Sequence, residues 1–231
     1  MQVHQTPTLL LTRPRTASER FAEGLQGADI VIAPLMEIVG TGENVSLEGV
    51  QGVILTSEAA VAFLPPARLP AYCVGPRTAR AAQAIGLEAE VCGPDAEGLV
   101  TALRNRQLKG HLVHVQGTHT RGDIAERLSS DGLVVTGIAA YDQRATPPLP
   151  SFHKALAQPE LIVPLFSPRS ADLFATAATQ LRSDTQILAL SQAVAEALPP
   201  SMQAQAHVIA HPSGAEMLRF LERYGVQRNS P

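Results

Sequence analysis

The chain has 231 residues, of which 45% are hydrophobic and 17% are charged, so it can bury one or two cores and is not a disordered segment. Its formal net charge of −3 argues against non-specific nucleic-acid binding, which depends on a basic surface. An anionic small molecule is still compatible with this charge, because a few arginines can dominate one binding site.

Short apolar runs alternate with helix-like stretches from one end of the chain to the other. Continuous apolar strands separated by helices predict parallel sheets that are covered by helices on both faces. The predicted strands are Thr8–Thr12, Asp29–Ala33, Val53–Thr56, Ala71–Val74, Glu90–Cys92, Leu112–Val115, Leu133–Tyr141, Leu161–Phe166, Ile187–Leu190 and His207–Ala210. The predicted helices cover residues 16–25, 58–64, 76–85, 95–106, 121–130, 168–181, 192–198 and 213–224.

The two halves of the chain resemble one another, which suggests an internal duplication. Ser57 and Ser167 each follow an apolar strand and precede a helix, and they are 110 residues apart. Gly75 and Ser191 occupy the next such turn in each half and are 116 residues apart. Alternating α/β patterns can mimic a repeat, so chance is the alternative to duplication.

Two segments leave one α/β unit and lead into polar or proline-rich sequence, as expected where a chain crosses between domains. They are residues 33–40 and residues 136–144, and the second leads into Thr146–Pro150, which reads as a stiff surface link. Two crossings imply a middle domain inserted into a discontinuous outer domain. We therefore expect one α/β domain from residues 1–36 plus 143–231 and an inserted α/β domain from residues 37–142.

Cysteine and histidine usage gives little sign of a disulfide or a metal site. Cys73 and Cys92 lie in or beside apolar strands and are expected to be reduced thiols. His111, His114 and His119 cluster near one strand, but they lack a defined fourth ligand and read better as ordinary strand and loop histidines. The N-terminus lacks the pattern of a signal peptide, and no apolar run approaches the ~20 residues of a membrane span, so we expect a cytoplasmic protein.

The candidate chemistry lies in loops at strand ends, because no nucleophile elbow, Walker loop, zinc-protease motif or dinucleotide fingerprint is present. In a parallel sheet such loops share one edge, where helix N-termini offer free backbone N–H groups to an anion. For any single serine or threonine, helix capping is the more ordinary function. Five loops in the same position favour a binding site instead. The candidate binding residues are Arg13, Ser57, Gly75, Arg77, Thr78, Gln116, Gly117, Arg121, Ser167 and Ser170, with Ser191 at the turn that corresponds to Gly75.

Tyr141 is the unusual residue of the second crossing, where it lies among small residues and next to Asp142. Its ring could be a simple packing contact. If the crossing lies between two domains, its hydroxyl could instead reach a ligand as a hydrogen-bond donor or general acid.

Several of these motifs resemble the uroporphyrinogen-III synthase family, from about residue 9 to residue 224. Each motif is weak alone, but their order and spacing together are fairly specific. The motifs are Leu-Thr-Arg-Pro at 11–14, Leu-Thr-Ser-Glu-Ala-Ala-Val at 55–61, Val-Gly-Pro-Arg-Thr-Ala at 74–79, Gly117 with Arg121, Ala-Tyr-Asp-Gln at 140–143 and Phe-Ser-Pro-Arg-Ser-Ala at 166–171.

The resemblance implies two flavodoxin-like, doubly wound α/β domains joined by a two-stranded linker. It also implies a cyclising hydro-lyase that uses no cofactor or metal and whose substrate is hydroxymethylbilane, a linear tetrapyrrole polycarboxylate. Such an enzyme removes the terminal hydroxyl as water, inverts ring D through a spiro intermediate and closes the macrocycle. Tyr141 matches the family's tyrosine at this crossing and would assist the loss of the hydroxyl. We expect the protein to be a monomer.

The chain departs from the family's pattern in two places. Gln116 precedes Gly117 where the family often has arginine, which removes one candidate partner for a carboxylate. Val194 replaces a threonine in the motif that begins at Ser191, so Ser191 is the remaining candidate hydroxyl there.

Two other functions compete with this interpretation. A cytosolic two-domain small-molecule binding protein would also have hinge crossings and a ligand cleft. A nucleotide-dependent α/β enzyme would need a glycine-rich phosphate loop, which the chain lacks. In each case the expected partner is a small molecule, without nucleic acid or membrane.

Overall fold

The structure, a computed structural model, describes residues 6–106, 108–119 and 123–228. These residues form two compact units. Unit 1 is made from both ends of the chain, up to Glu37 and again from Arg144 onward, and unit 2 is the segment Ile38–Gln143. The chain passes from one unit to the other twice.

Strands and helices alternate along the described residues. The strands are β1 (Thr8–Leu11), β2 (Leu25–Gln26), β3 (Asp29–Ile32), β4 (Met36–Gly40), β5 (Val50–Leu55), β6 (Pro70–Val74), β7 (Glu88–Gly93), β8 (His111–Gly117), β9 (Val134–Ala145), β10 (Leu161–Leu165), β11 (Gln186–Ala189), β12 (Ala206–Val208) and β13 (Gln227–Arg228). The helices are α1 (Arg15–Ala22), α2 (Glu58–Val61), α3 (Gly75–Ala84), α4 (Ala96–Arg104), α5 (Ile124–Ser130), α6 (Pro150–Leu156), α7 (Pro168–Ala177), α8 (Gln192–Glu196), α9 (Pro200–Gln203) and α10 (Gly214–Glu222).

The main sheet of unit 1 has the strand order β12-β11-β10-β1-β3, and every neighbouring pair is parallel. Numbered along this unit, the order is 2-1-3-4-5, which is the flavodoxin-like arrangement. Alternate residues of β1 face opposite sides of this sheet. Leu10 packs into a core that includes Phe152 of α6 and Phe174 of α7, whereas Leu9 packs against Met217 of α10.

The sheet of unit 2 has the strand order β4-β9-β8-β5-β6-β7. The five strands from β9 to β7 are parallel and have helices on both faces. Val53 and Leu55 of β5 face the core that includes α2 and α3, and Ile54 faces the core that includes α4 and α5. Apart from the edge strand β4, both sheets are therefore doubly wound and parallel, which confirms the fold class predicted from the continuous apolar strands.

Strand β4 is the sixth strand of the unit 2 sheet and pairs with β9. The Thr41 N–H donates to the Ala140 carbonyl, and the Thr146 N–H donates to the Leu35 carbonyl, so the two chain segments run in opposite directions. Because the two crossings fall within β4 and β9, they form the two-stranded linker expected from the family resemblance.

The strand orders support the internal repeat. The five strands β1, β3, β5, β6 and β7 correspond to β8, β9, β10, β11 and β12 of a second copy. Numbered by copy, both sheets then read 2-1-3-4-5, and each sheet takes its first two strands from one copy and its last three from the other. The same mixed order in both sheets is the pattern expected from a duplicated chain.

Three short strands and two short helices were not predicted from the sequence. Strands β2 and β13 pair with each other and have only two residues each, and the apolar residues of β4 are interrupted by Glu37, so none of the three carries a long apolar run. The segment Thr146–Pro150 was predicted to be a stiff link, but helix α6 begins at Pro150. Proline fits the first turn of a helix, and α6 is held by buried Phe152 and Ala155. Helix α9 also begins at a proline.

Candidate active site

The candidate residues of unit 2 follow the carboxyl ends of neighbouring parallel strands. Ser57 follows β5, Gly75 follows β6, and Gly117 ends β8. Tyr141 lies in β9 and is the register partner of Gly117. The register shifts between Gln116 and Gly117, so a bulge brings Tyr141 level with the end of β8.

Tyr141 is almost completely buried, although it lies level with the strand ends that carry the candidate residues. The residue is 4% exposed, and its ring stacks on Phe63 with centroids 5.5 Å apart and an interplanar angle of 14°. Its other neighbour is Gly117, where a Cβ atom would come within 2.7 Å of Tyr141 Cε2. No side chain fits at residue 117 unless the tyrosine ring moves, so Gly117 supports the site by being small.

Ser57 contacts both the start of α2 and Tyr141. Its Oγ accepts a hydrogen bond of 3.2 Å from the Ala59 N–H, which is an N-terminal helix cap. The Ser57 side chain also hydrogen-bonds to Tyr141. Burial raises the pKa of Tyr141, and the smaller effect of the Ser57 hydrogen bond lowers it. The phenol is therefore neutral near pH 7 and can donate a proton.

Thr118 and Asp142 fix the backbone around Tyr141. The Thr118 N–H donates to the Tyr141 carbonyl at 2.8 Å, and the Thr118 hydroxyl donates to Asp142 Oδ1 at 2.6 Å. His119 Nε2 lies 3.3 Å from the same carboxylate oxygen. These residues and Phe63 are not among the candidate binding residues selected from the sequence. The only signal was that they flank the motifs, since the register that joins them is not visible in the sequence.

The start of α3 offers backbone donors that no side chain caps. Gly75 begins the helix with a φ of +69°, a conformation that favours glycine, and Val74 before it makes no side-chain cap. Arg77 is exposed in the first turn, and Thr78 is 5% exposed. Free N–H groups, a helix N-terminus and a nearby guanidinium together can bind an anion.

Two other predicted residues of unit 2 are not placed beside Tyr141. The Gln116 side chain turns toward Gly137 and Ala125 on the opposite face of the sheet, because side chains alternate along β8. Arg121 lies outside the described residues.

In unit 1, Arg13 and Ser167 follow the neighbouring strands β1 and β10. The Arg13 guanidinium carbon lies 4.3 Å from the centroid of the Phe166 ring, and Phe166 packs edge-to-face on Phe21 at 5.0 Å. This cation–π contact holds the charge of Arg13 at the end of the sheet. The buried Nε of Arg169, the arginine of the Phe-Ser-Pro-Arg-Ser-Ala motif, has no hydrogen-bond partner among the described residues.

The serines of unit 1 are used differently from one another. Ser167 and Ser170 form a capping box: the Ser167 Oγ accepts from the Ser170 N–H at 3.1 Å, and the Ser170 Oγ accepts from the Ser167 N–H at 3.0 Å. Ser170 is 3% exposed and also donates to the Ser167 carbonyl. By contrast, Ser191 precedes α8 without a side-chain cap. Val194, where the family has threonine, is 1% exposed and packs in the core.

The sequence matches the family model described as "Uroporphyrinogen-III synthase HemD" over residues 19–218. The chain belongs to the uroporphyrinogen-III synthase family. This family consists of enzymes of tetrapyrrole synthesis, and the alternative of a two-domain binding protein is not favoured.

Solved structures share the fold of this uroporphyrinogen-III synthase family member. One is uroporphyrinogen-III synthetase from Helicobacter pylori, with a TM-score of 0.68, 14% identity, and coverage of 94% of this chain and 99% of that chain. Another is a mutant uroporphyrinogen III synthase from the extremely thermophilic bacterium Thermus thermophilus, with a TM-score of 0.52, 17% identity, and coverage of 94% and 98%. No curated protein matches the sequence significantly.

Other candidate features of the chain do not form sites in the described ranges. Within residues 6–106, 108–119 and 123–228 there is no group of three histidine, cysteine or acidic side chains suited to hold a metal ion. His111 bonds to Thr136, and both cysteines are free thiols. Over the same part of the chain, no helix has the length and apolar character needed to cross a membrane.

Proposed function

We propose that this chain is a uroporphyrinogen-III synthase that cyclises hydroxymethylbilane to uroporphyrinogen III, with inversion of ring D and loss of water. The observation that carries the proposal is the pairing of Tyr141 with Ser57 at the strand ends of unit 2, in a chain that matches the family model over residues 19–218. We also propose that the two compact units are the two domains of the enzyme.

Tyr141 is the proposed catalytic residue. Its neutral phenol donates a hydrogen bond, and then its proton, to the terminal hydroxyl of the substrate. The C–O bond breaks, its electron pair leaves with the oxygen as water, and the substrate keeps an azafulvenium cation. The last ring closure releases one proton, which restores the phenol. No proton is consumed overall, and no oxidant or reductant is needed.

The cation reacts without further help, so the larger task of the protein is orientation. Closure without inversion is the competing spontaneous reaction and gives the type I isomer. The substituted carbon of ring D must therefore be held where it attacks first, which is catalysis by positioning. Selectivity for the type III isomer is the property that distinguishes the enzyme from the uncatalysed reaction.

We propose that the protein orients the substrate by binding its carboxylates. In unit 2 they would bind at the start of α3, where Gly75, Arg77 and Thr78 supply backbone donors and one guanidinium. In unit 1, Arg13 and Ser191 are the proposed contacts, because the Arg13 charge is held at a strand end and the Ser191 hydroxyl is not used as a helix cap. The remaining candidates make smaller contributions in this proposal. They are Gly117, Arg121, Ser167 and Ser170, whereas Gln116, whose side chain faces the opposite side of the sheet, is expected to make no contact with the substrate.

The test is the isomer ratio formed from freshly prepared hydroxymethylbilane. The macrocycles are oxidised to porphyrins and separated as type I and type III isomers. We expect type III in large excess and at a rate proportional to the protein concentration. Type I alone, at the rate of the buffer control, would refute the proposal.

We further propose that the protein acts in the cytoplasm as a monomer on this small polycarboxylate, without a nucleic-acid or membrane partner. Its two free thiols, Cys73 and Cys92, fit a reducing compartment. Light scattering coupled to gel filtration should give the mass of one chain, 24.5 kDa, across the concentrations used in the assay.

A further inference from the structure

Ser57 lies beside Tyr141 because of the register of three neighbouring strands. In the β5–β8 pair, Leu55 is the partner of Val115, and in the β8–β9 pair Gly117 is the partner of Tyr141. Ser57, just beyond the end of β5, is therefore level with Gly117 and Tyr141. Since glycine has no side chain to separate them, the two hydroxyl side chains meet and hydrogen-bond.

The hydrogen-bonding groups at Ser57 allow it to donate in this hydrogen bond. A serine hydroxyl has one hydrogen and two acceptor positions. The Ser57 Oγ accepts from the Ala59 N–H at 3.2 Å, and its own hydrogen is available to the phenolic oxygen of Tyr141. When Ser57 donates, the hydrogen of Tyr141 is available to the substrate. Each bond in such a chain polarises the next, so an accepted hydrogen bond makes the phenol a stronger donor.

We infer that Ser57 is a positioning residue, which donates to the Tyr141 oxygen and directs the phenolic hydrogen toward the hydroxyl that leaves. This inference rests on the proposed function of Tyr141 and replaces substrate binding as the main role of Ser57. The Ser57 hydrogen bond lowers the pKa of Tyr141 against the larger effect of burial, because Ser57 can donate to the phenolate.

The first measurement compares kcat and KM of Ser57→Gly and Ser57→Thr. Glycine is a tolerated N-terminal cap, so Ser57→Gly removes the hydroxyl at little cost to the helix start. We expect its kcat to fall about fivefold to tenfold, the value of one hydrogen bond, with KM unchanged. Ser57→Thr keeps a hydroxyl and should restore most of the activity. Ser213→Gly removes an equivalent serine cap from α10 and should leave kcat unchanged.

The second measurement is a double-mutant cycle with Tyr141→Phe. If Ser57 acts through the phenol, Ser57→Gly lowers kcat in the wild-type background and has no further effect when the phenol is absent. Multiplicative losses, or a loss in KM instead of kcat, would overturn the inference and return Ser57 to a binding or purely structural role.

The third measurement does not depend on turnover. The three tyrosines are labelled at 13Cζ and titrated by NMR, and Tyr141→Phe assigns the Tyr141 signal. The Tyr141 midpoint should lie at higher pH in Ser57→Gly than in wild type, because a hydrogen bond to the phenolate is lost. An unchanged midpoint would overturn the inference. A shifted midpoint in a protein that makes only the type I isomer would refute the proposed function but keep the hydrogen bond.

Discussion

Burial of His114 should make the protein lose stability as the pH falls from 7 to 5. His114 lies in β8, is 1% exposed, and has no hydrogen-bond partner for either ring nitrogen among the described residues. Its register partners are Ile54 and Gly137, and apolar residues of α4 and α5 cover this face of the sheet. Desolvation therefore lowers the pKa of His114 from 6.5 to about 4.

The size of the effect follows from the two pKa values. The unfolded chain binds a proton at this histidine near pH 6.5, whereas the folded chain binds it only near pH 4. The contribution of neutral His114 is fully present above pH 6.5 and is lost as the pH falls toward 4. Linkage between these values gives a loss of about 2 kcal/mol between pH 7 and pH 5, and about 3 kcal/mol in all.

The assay is urea unfolding, followed by circular dichroism at several pH values between 7 and 5, for wild type and His114→Leu. Leucine matches the apolar surroundings and cannot titrate. We expect the free energy of unfolding of His114→Leu to fall by about 2 kcal/mol less than that of wild type over this range. The variant should also be at least as stable at pH 7, because an imidazole without protein hydrogen bonds is costly to bury.

The control is His153→Gln, which changes an exposed histidine on α6. It should show the same pH dependence as wild type. Equal losses of stability for wild type and His114→Leu would refute the reasoning, since the buried imidazole would then not be the group that binds the proton on unfolding.

Four further outcomes are expected from the same structure. Tyr141→Phe should lower turnover at least several-fold without a change in the circular dichroism spectrum, and unchanged turnover would remove Tyr141 from the mechanism. Gly117→Ala should lower turnover at least as much and shift the Tyr141 13Cζ signal, because the added Cβ would lie 2.7 Å from the ring. Gly75→Ala should cost about 1 kcal/mol in urea unfolding, because its φ of +69° is strained for alanine although nothing lies within 4 Å of the added Cβ. At pH 8 a thiol reagent should modify Cys92 before Cys73, because Cys73 is fully buried and this burial raises its pKa to about 12. Reaction of both thiols at the same rate would contradict this prediction.

Much of the fold was predictable because both faces of each sheet are buried. A strand covered on both faces needs apolar residues at every position, so runs such as Leu9 to Leu11 are visible without any alignment. The two crossings and the repeat offsets were visible as well. The predicted end of α7 at residue 181 was wrong: the helix stops at Ala177, because buried Ala178 takes a non-helical conformation.

The site was only partly predictable, since a strand's register decides which strand-end residues meet. Sequence reasoning selected Ser57, Gly117 and Tyr141 separately, and the bulge at Gly117 brings them together. It also selected Gln116, which the alternation of side chains places on the opposite face of the sheet. Phe63, which supports the tyrosine ring, carries no motif of its own.

The repeat explains why only one unit carries the proposed acid. The two copies supply equivalent strands, and β9 begins 105 residues after β3, so the position that corresponds to Tyr141 in the first copy is Met36. Met36 is buried and has no proton to donate. The first copy supplies Ser57 to the sheet that contains Tyr141, whereas the second copy supplies Ser167, whose hydroxyl is part of a capping box with Ser170. The strand-end positions are therefore duplicated, but the serine–tyrosine pair takes one residue from each copy and occurs once among the described residues.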